Sequence, residues 1–233
     1  MRYKAFTSPD AVRKVSNDGG KNMVWKIPSI KMGRMVLAES QLERSYFIKL
    51  EYDWNVISFQ EQPLKIPYEV GGKVRFYTPD ILVEFDDGTR AIVEIKPESQ
   101  INNEENQRLF YHAKLYCYEK GLKYLIFTEK EIYAGNRLEN IEVITNHRNH
   151  PHRIAVASDI LGFLAQIGHP IRFHSIANVL PQPPVLLWNT IMSMAYWLEI
   201  YIDLDADNFP NDALIAYPPR IYSKRTSKVF QSS

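Results

Sequence analysis

The most constraining feature of the sequence is the stretch FYTPDILVEFDDGTRAIVEIKPES, residues 76–99. Two runs rich in apolar and β-branched residues are separated by the turn sequence Asp86-Asp87-Gly88, and Pro97 ends the second run. Two strands joined by a tight turn lie side by side. Asp80, on the first strand, and Glu94, on the second, are therefore expected at the same end of a sheet.

Lys96 belongs to the same predicted site. Side chains alternate between the two faces of a strand, so Glu94 and Lys96 share a face across Ile95. Two neighbouring carboxylates are unfavourable unless a positive charge neutralises them, and Mg²⁺ is a hard cation that takes oxygen ligands. We expect the carboxylates to hold Mg²⁺ against a scissile phosphate, while Lys96 orients water or stabilises charge on the phosphorane. The alternative is an ordinary exposed hairpin with alternating charges.

This arrangement is the PD-(D/E)xK nuclease motif, present as Pro79-Asp80 and Glu94-Ile95-Lys96. The motif is short, so its context matters. The segment 40–53 has helical spacing of apolar residues, and a second helix (103–122) and a buried strand (123–132) follow the motif. This is the order of a restriction-endonuclease-like core. The first helix segment carries acids that could join the site, namely Glu39, Glu43 and Glu51, although a helical glutamate is usually just solvated.

Between the first helix and the motif, residues 56–70 read as extended chain interrupted by two prolines. Gly71-Gly72 then predicts a hairpin turn into the motif strand. Gln60 and Gln62 fall near the site, where they could contact DNA or a water. After the core, residues 138–145 are expected to form another strand.

The pattern changes after NHRNHPHR, residues 146–153. Three helical segments follow, at 157–168, 173–181 and 184–205, and residues 208–222 read as a short hairpin or loop. Three helices and a hairpin resemble a winged-helix domain.

The net charge of +1 conceals an uneven distribution of charge along the chain. Residues 1–36 hold eight Lys/Arg against two Asp, and residues 220–233 hold four Lys/Arg and no acid. Residues 155–219 hold six acids against Arg172. Basic ends on a nearly neutral chain favour a polyanion that is bound locally, although they could also serve solubility alone.

Residues 36–130 resemble the TnsA-like family, the endonuclease subunits of heteromeric bacterial transposases. The matching stretches are ESQLERSYFIKLEYDWNVISFQEQPLKI, YTPDILVEF, VEIKP and KYLIFTE. The combination is much more specific than the nuclease motif alone. The resemblance implies catalytic residues at Glu43, Asp80, Glu94 and Lys96, with Mg²⁺ (Mn²⁺ as a substitute) held by Glu43, Asp80 and Glu94.

The resemblance also implies a reaction and partners. Such subunits nick the 5′ ends of a transposon, on the non-transferred strand, during cut-and-paste transposition. They act with a TnsB-like DDE transposase and a TnsC-like AAA+ ATPase regulator, and in some systems a CRISPR or other target-selection module acts indirectly. We therefore expect an α/β restriction-endonuclease-like nuclease core with a C-terminal, mostly α, winged-helix-like domain. The expected divisions are a basic N-terminal arm (1–36), a TnsA-like endonuclease domain (37–150), the winged-helix-like domain (151–219) and a basic tail (220–233).

Composition is consistent with this expectation. No run of about eighteen apolar residues suggests a membrane span, the first ten residues carry no apolar signal region, and the single cysteine, Cys117, fits a reducing compartment. We expect a cytoplasmic bacterial protein that is nucleoid-associated when bound to DNA. Two alternatives stay open: a stand-alone PD-(D/E)xK nuclease of restriction or repair, and an inactive module that bridges DNA and an ATPase.

Overall fold

The computed structural model describes residues 24–150 and 154–218, which fall into two compact units divided between Ala134 and Gly135. The described part of the first unit contains, in order, β1 (Trp25–Ser29), β2 (Arg34–Ala38), α1 (Gln41–Glu51), β3 (Val56–Glu61), β4 (Ile66–Val70), β5 (Lys73–Tyr77), β6 (Ile81–Phe85), β7 (Arg90–Ile95), α2 (Glu98–Ile101), α3 (Glu104–Glu119), β8 (Lys123–Phe127) and α4 (Glu129–Ile132).

The centre of the first unit is a four-stranded mixed sheet in the order β3-β6-β7-β8. The pairs β3–β6 and β6–β7 are antiparallel, and β7–β8 is parallel because α3 carries the chain back across the sheet. Strand β7 is buried from Ala91 to Ile95, as expected for a central strand covered on both faces. The predicted β6–β7 hairpin and its turn are confirmed.

Helix α1 packs against the sheet through aromatic side chains. Tyr46 contacts Phe127 of β8 and Phe47 contacts Phe59 of β3, with ring centroids 4.9 and 5.7 Å apart. Helix α3 buries Phe110, Ala113 and Cys117. One core thereby fixes the start of α1, the start of β6 and the end of β7.

The structure differs from the predicted basic N-terminal arm (1–36) in the part of that arm that it describes. Residues 1–23 lie outside the described residues, but residues 25–38 form the β1–β2 hairpin, in which Val36 and Ala38 are fully buried. Glu51 at the end of α1 holds this hairpin by accepting hydrogen bonds from Ser29 Oγ (2.5 Å) and the Lys31 amide (2.8 Å). This stretch is part of the packed unit.

Two predictions of strands were wrong. Residues 138–145 belong to helix α5 (Arg137–Thr145), in which Ile141 and Ile144 are buried at helical spacing. The predicted strand 123–132 ends at Phe127, because Thr128 and Glu131 form a capping box that starts α4. Because α5 packs with the later helices, the division falls at residue 134 and not at the expected 150.

The described part of the second unit contains α5, α6 (Ile154–Ile167), β9 (Ile171–Arg172), α7 (Phe173–Val179), α8 (Pro184–Tyr196), β10 (Tyr201–Ile202) and β11 (Leu214–Ala216). The three short strands form an antiparallel sheet in the order β10-β11-β9. The predicted tail, 220–233, lies outside the described residues. No helix within the described ranges is long and apolar enough to cross a membrane.

Candidate active site

Asp80 and Glu94 meet at one end of the central sheet. Ile81 of β6 pairs with Val93 of β7, so the residues next to them, Asp80 and Glu94, lie at the same end. Asp80 is fixed from both sides: its Oδ2 accepts a hydrogen bond from the Ile95 amide (2.7 Å), and its carbonyl accepts one from the Gln62 amide (2.8 Å). The end of β3 and the end of β7 therefore hold Asp80 in place.

Lys96 lies between these two carboxylates. Its Nζ is 2.6 Å from Glu94 Oε1 and 3.9 Å from Asp80 Oδ2. The Glu94 side chain is 1% exposed, whereas those of Asp80 and Lys96 are 20% and 25% exposed. The three charges form a cluster that is closed at Glu94 and open to solvent at Asp80 and Lys96.

The electrostatics of this cluster follow from burial and from like charge. Burial, and then the nearby charge of Glu94, raise the pKa of Asp80 well above its ordinary value, while Lys96 partly opposes the shift. Burial alone would lower the pKa of Lys96, but the charges of Asp80 and Glu94 outweigh it and raise that pKa. Lys96 therefore stays protonated, and its charge compensates the two carboxylates.

Glu43, at the start of α1, lies near the cluster without contacting it. Ser40 caps the helix by accepting a hydrogen bond from the Glu43 amide (3.1 Å), and the Glu43 carboxylate accepts from Ser40 Oγ (2.9 Å) and from the Glu39 amide (2.8 Å). Burial raises the pKa of Glu43, and these hydrogen bonds oppose the shift. Glu43 interacts electrostatically with both Asp80 and Lys96.

The other two acids of the α1 segment have different partners. Glu51 binds the β1–β2 hairpin. Glu39 Oε1 accepts a hydrogen bond from Gln62 Nε2 (2.9 Å), so the predicted neighbour of the site, Gln62, is bound to protein by its amide nitrogen.

Gln62 has an unusual backbone for a residue with a side chain. Its φ angle is 45°, in the left-handed region, and its buried Oε1 has no hydrogen-bond partner among the described residues. Its backbone contacts Asp80 and its side chain contacts Glu39, so it ties the segment before α1 to the turn that carries Asp80. Such strained conformations cluster at functional sites.

Tyr77 is a residue of the site that the sequence does not indicate. Its hydroxyl donates a hydrogen bond to Glu94 Oε2, the oxygen opposite the one that Lys96 binds. Burial, and then the charge of Glu94, raise the pKa of Tyr77, so the hydroxyl keeps its proton and acts as a donor. In the sequence Tyr77 is simply one more aromatic residue in a strand, and only the folded contact distinguishes it.

The donor chemistry at this end of the sheet fits an oxygen-preferring divalent cation. Asp80 and Glu94 converge, and their mutual repulsion is the cost that a cation would remove. Among the described residues, however, no three His, Cys, Asp or Glu side chains are grouped closely enough to hold a metal ion. The Glu43 carboxylate is turned towards the start of α1, so the expected three-carboxylate ligand set is only partly assembled.

The comparisons with known proteins concern the same part of the chain. Residues 53–129 match the family model for the TnsA-like endonuclease N-terminal domain. The chain is also 23% identical over 185 residues to the transposon Tn7 transposition protein TnsA of Escherichia coli, an alignment that covers 72% of this chain and 65% of the relative. The chain thus spans less than two thirds of the length of this curated relative.

These matches confirm the resemblance seen in the sequence. The family match implies a restriction-endonuclease-like fold, with which the mixed sheet and its flanking helices are consistent. Asp80, Glu94 and Lys96 lie inside the matched segment, whereas Glu43 precedes it. The chain is therefore similar to TnsA, and residues 53–129 match the TnsA-like endonuclease N-terminal domain.

Proposed function

We propose that the protein is a metal-dependent DNA endonuclease, the subunit of a heteromeric transposase that nicks the 5′ ends of a transposon on the non-transferred strand. The observation that carries the proposal is the placement of Lys96 between Asp80 and Glu94, at one end of β6 and β7, inside the segment that matches an endonuclease family. A TnsA protein of transposon Tn7 among the relatives supports transposition over restriction or repair.

The roles of the residues follow from their contacts. Asp80 and Glu94 would hold Mg²⁺, with Glu43 completing the set. When bound, the ion supplies positive charge at the scissile phosphate and makes a water molecule more acidic. Asp80 is held by backbone hydrogen bonds, and Tyr77 orients the carboxylate of Glu94. Lys96 remains charged, and as the exposed cation of the cluster it would contact the phosphate oxygens or orient the attacking water.

We propose that the second unit is winged-helix-like. Its order α6-β9-α7-α8-β10-β11, with β11 between β9 and β10, supports this assignment. The third helix of that series, α8, has the sequence PVLLWNTIMSMAY and carries no charged side chain. Binding to the phosphate backbone of DNA relies on Lys and Arg. Seven residues of α8 are buried, so its uncharged sequence reflects packing within the second unit.

The proposed partners are transposon-end DNA, a TnsB-like DDE transposase that cuts and joins the 3′ ends, and a TnsC-like AAA+ ATPase regulator. A CRISPR or other target-selection module would act through the regulator. The TnsA name of the relative supports this set.

The proposal is tested with a plasmid that carries both transposon ends, incubated with this protein, its neighbouring transposase and its ATPase. We expect cleavage that requires Mg²⁺, is abolished by EDTA, and is restored by Mn²⁺. Omission of either partner should nearly abolish cleavage. Cleavage by this protein alone would favour a stand-alone nuclease, and cleavage that persists in EDTA would contradict a metal-dependent mechanism.

A further inference from the structure

The hairpin formed by β4 and β5 stands apart from the central sheet. The two strands pair with each other as a two-stranded sheet, from Ile66↔Tyr77 to Val70↔Lys73. Gly71 and Gly72 form the turn, with φ angles of 58° and 72° that glycine adopts without strain. Every residue of β5 from Lys73 to Phe76 is exposed. Strand β5 is thus open to solvent over these four residues, whereas Tyr68 and Val70 of β4 are half-buried.

The base of the hairpin is anchored at the candidate site. Tyr77, the last residue of β5, donates its hydroxyl hydrogen to Glu94. Ile66, which pairs with Tyr77, is 1% exposed, and the ring of Tyr68 lies 5.6 Å from that of His112 on α3. The hairpin therefore has a fixed direction relative to the catalytic carboxylates.

The exposed strand presents positive charge on the face that leads to the site. Because side chains alternate along a strand, Lys73 and Arg75 share the face of Tyr77. Neither takes part in an ion pair within the part of the chain that the structure describes. Glu69, the single acid of residues 65–77, pairs with Val74 and so belongs to the opposite face. Lys73 and Arg75 are charges that the fold itself does not use.

We propose that the β4–β5 hairpin is a DNA-binding arm, along which the duplex lies when its scissile phosphate is at Asp80 and Lys96. This inference rests on the proposed endonuclease function. At about 3.3 Å per residue, Arg75 and Lys73 lie roughly 7 and 13 Å along the strand from Tyr77, which corresponds to about two and four base pairs of duplex. A two-stranded ribbon has the width that the major groove admits.

The experiment compares charge reversal on the hairpin with the same reversal elsewhere. The test variant is Lys73→Glu/Arg75→Glu. The control is Arg90→Glu/Lys123→Glu, at exposed positions beside Ala91, the opposite end of β7 from Glu94. Both are made in full-length protein carrying Asp80→Ala, so that DNA is not cut, and binding of a labelled transposon-end duplex is measured over a range of salt concentrations.

We expect the hairpin variant to bind at least about ten-fold more weakly than the parent. Its slope of log affinity against log salt should be smaller by about 1.8, because two phosphate contacts are lost. The control should bind within about three-fold of the parent, and Lys73→Gln/Arg75→Gln should fall between. A melting midpoint equal to that of the parent checks that the hairpin variant is folded.

Equal binding and equal salt dependence of the hairpin and control variants would overturn the DNA-binding arm and leave the nuclease proposal standing. Val74 and Phe76 lie on the opposite face and are 66% and 65% exposed. Their replacement by serine should leave DNA binding unchanged. If that replacement alone weakens DNA binding, the basic face is not the contact surface. A parent protein that does not bind the duplex even together with the proposed transposase and ATPase would overturn the proposed function, and this inference with it.

Discussion

The folded protein disfavours the ionised form of the Asp80 carboxyl group. Burial and the neighbouring Glu94 both favour the protonated carboxyl, and Lys96 only partly compensates. Catalysis with a metal ion requires the opposite state, because a ligating carboxylate is deprotonated. The residue that would hold the ion is therefore destabilising when no ion is bound.

A dependence of stability on pH follows. A carboxyl whose pKa is raised by folding keeps its proton in the native state at pH values where the unfolded chain has lost it. Stability contributed by Asp80 is therefore lost as pH rises from about 4, the ordinary aspartate value, through the folded pKa. We expect Asp80→Asn to be more stable than wild type at pH 7 in EDTA, and this difference to shrink towards pH 4, as measured by urea unfolding.

Asp87 provides a control with the opposite sign. Its carboxylate accepts a hydrogen bond from the Thr89 amide (2.8 Å), and this bond lowers the pKa of Asp87. Asp87→Asn should lose stability relative to wild type at pH 7, and lose less at acid pH. If Asp80→Asn behaves like Asp87→Asn, the account of a destabilising charge at Asp80 is wrong.

Gln62 is expected to position the site without touching the DNA. Gln62→Glu would place a carboxylate against Glu39 and remove the amide donor, so we expect metal-dependent cleavage in the assembled system to fall about 10- to 100-fold, as for other outer-shell partners. The double variant Glu39→Gln/Gln62→Glu restores a donor and an acceptor with exchanged roles.

We expect the double variant to recover at least part of the activity. Its affinity for Mn²⁺, measured by electron paramagnetic resonance of free Mn²⁺, should recover to a matching extent. A double variant as inactive as Gln62→Glu, although folded, would show that the contact between Gln62 and Glu39 does not set the site.

At the scale of elements, the start of α1 couples stability to the site. Ser40 accepts from the Glu43 amide and donates to the Glu43 carboxylate. Ser40→Ala should lower the free energy of unfolding by about 1 kcal/mol, the usual cost of losing an N-cap, and should also reduce cleavage because Glu43 loses a partner. Ser40→Thr keeps the hydroxyl and is the matched control. A Ser40→Ala protein as stable as the Ser40→Thr protein would exclude Ser40 as an effective cap.

The elements also show what sequence could and could not predict. The β6–β7 hairpin and helices α1 and α3 were predictable because turn residues, caps and periodicity agree there. Helix α5 was not, because Ile141, Val143 and Ile144 favour a strand locally and only packing within the second unit selects the helix. Asp80, Glu94 and Lys96 could be placed by strand alternation, whereas Tyr77 and the hydrogen bonds of Gln62 depend on contacts between strands distant in sequence.

At the scale of the whole molecule, a basic segment lies far along the sequence from the residues that would do the chemistry. The last fourteen residues, 220–233, carry four Lys/Arg and no acid. We expect a chain ending at residue 219 to bind transposon-end DNA and the partner proteins at least about ten-fold more weakly. For DNA, the reason is that each Lys or Arg that contacts a phosphate releases counterions, and this favourable release is lost with the tail. Its thermal unfolding should be unchanged. Unaltered binding after truncation would reject a role for the tail in assembly.

The most direct test of the central claim is strand-specific cleavage of a transposon-end duplex labelled separately on each strand. The protein is mixed with the proposed transposase and ATPase partners and Mg²⁺, and wild type is compared with Asp80→Ala and with the structural control Asp87→Ala. We predict 5′-end nicks on the non-transferred strand with wild type and Asp87→Ala, and at least a hundred-fold fewer with Asp80→Ala, roughly the contribution of an essential catalytic group. Metal-dependent nicking by Asp80→Ala at the wild-type rate would contradict the assignment of this cluster as the active site.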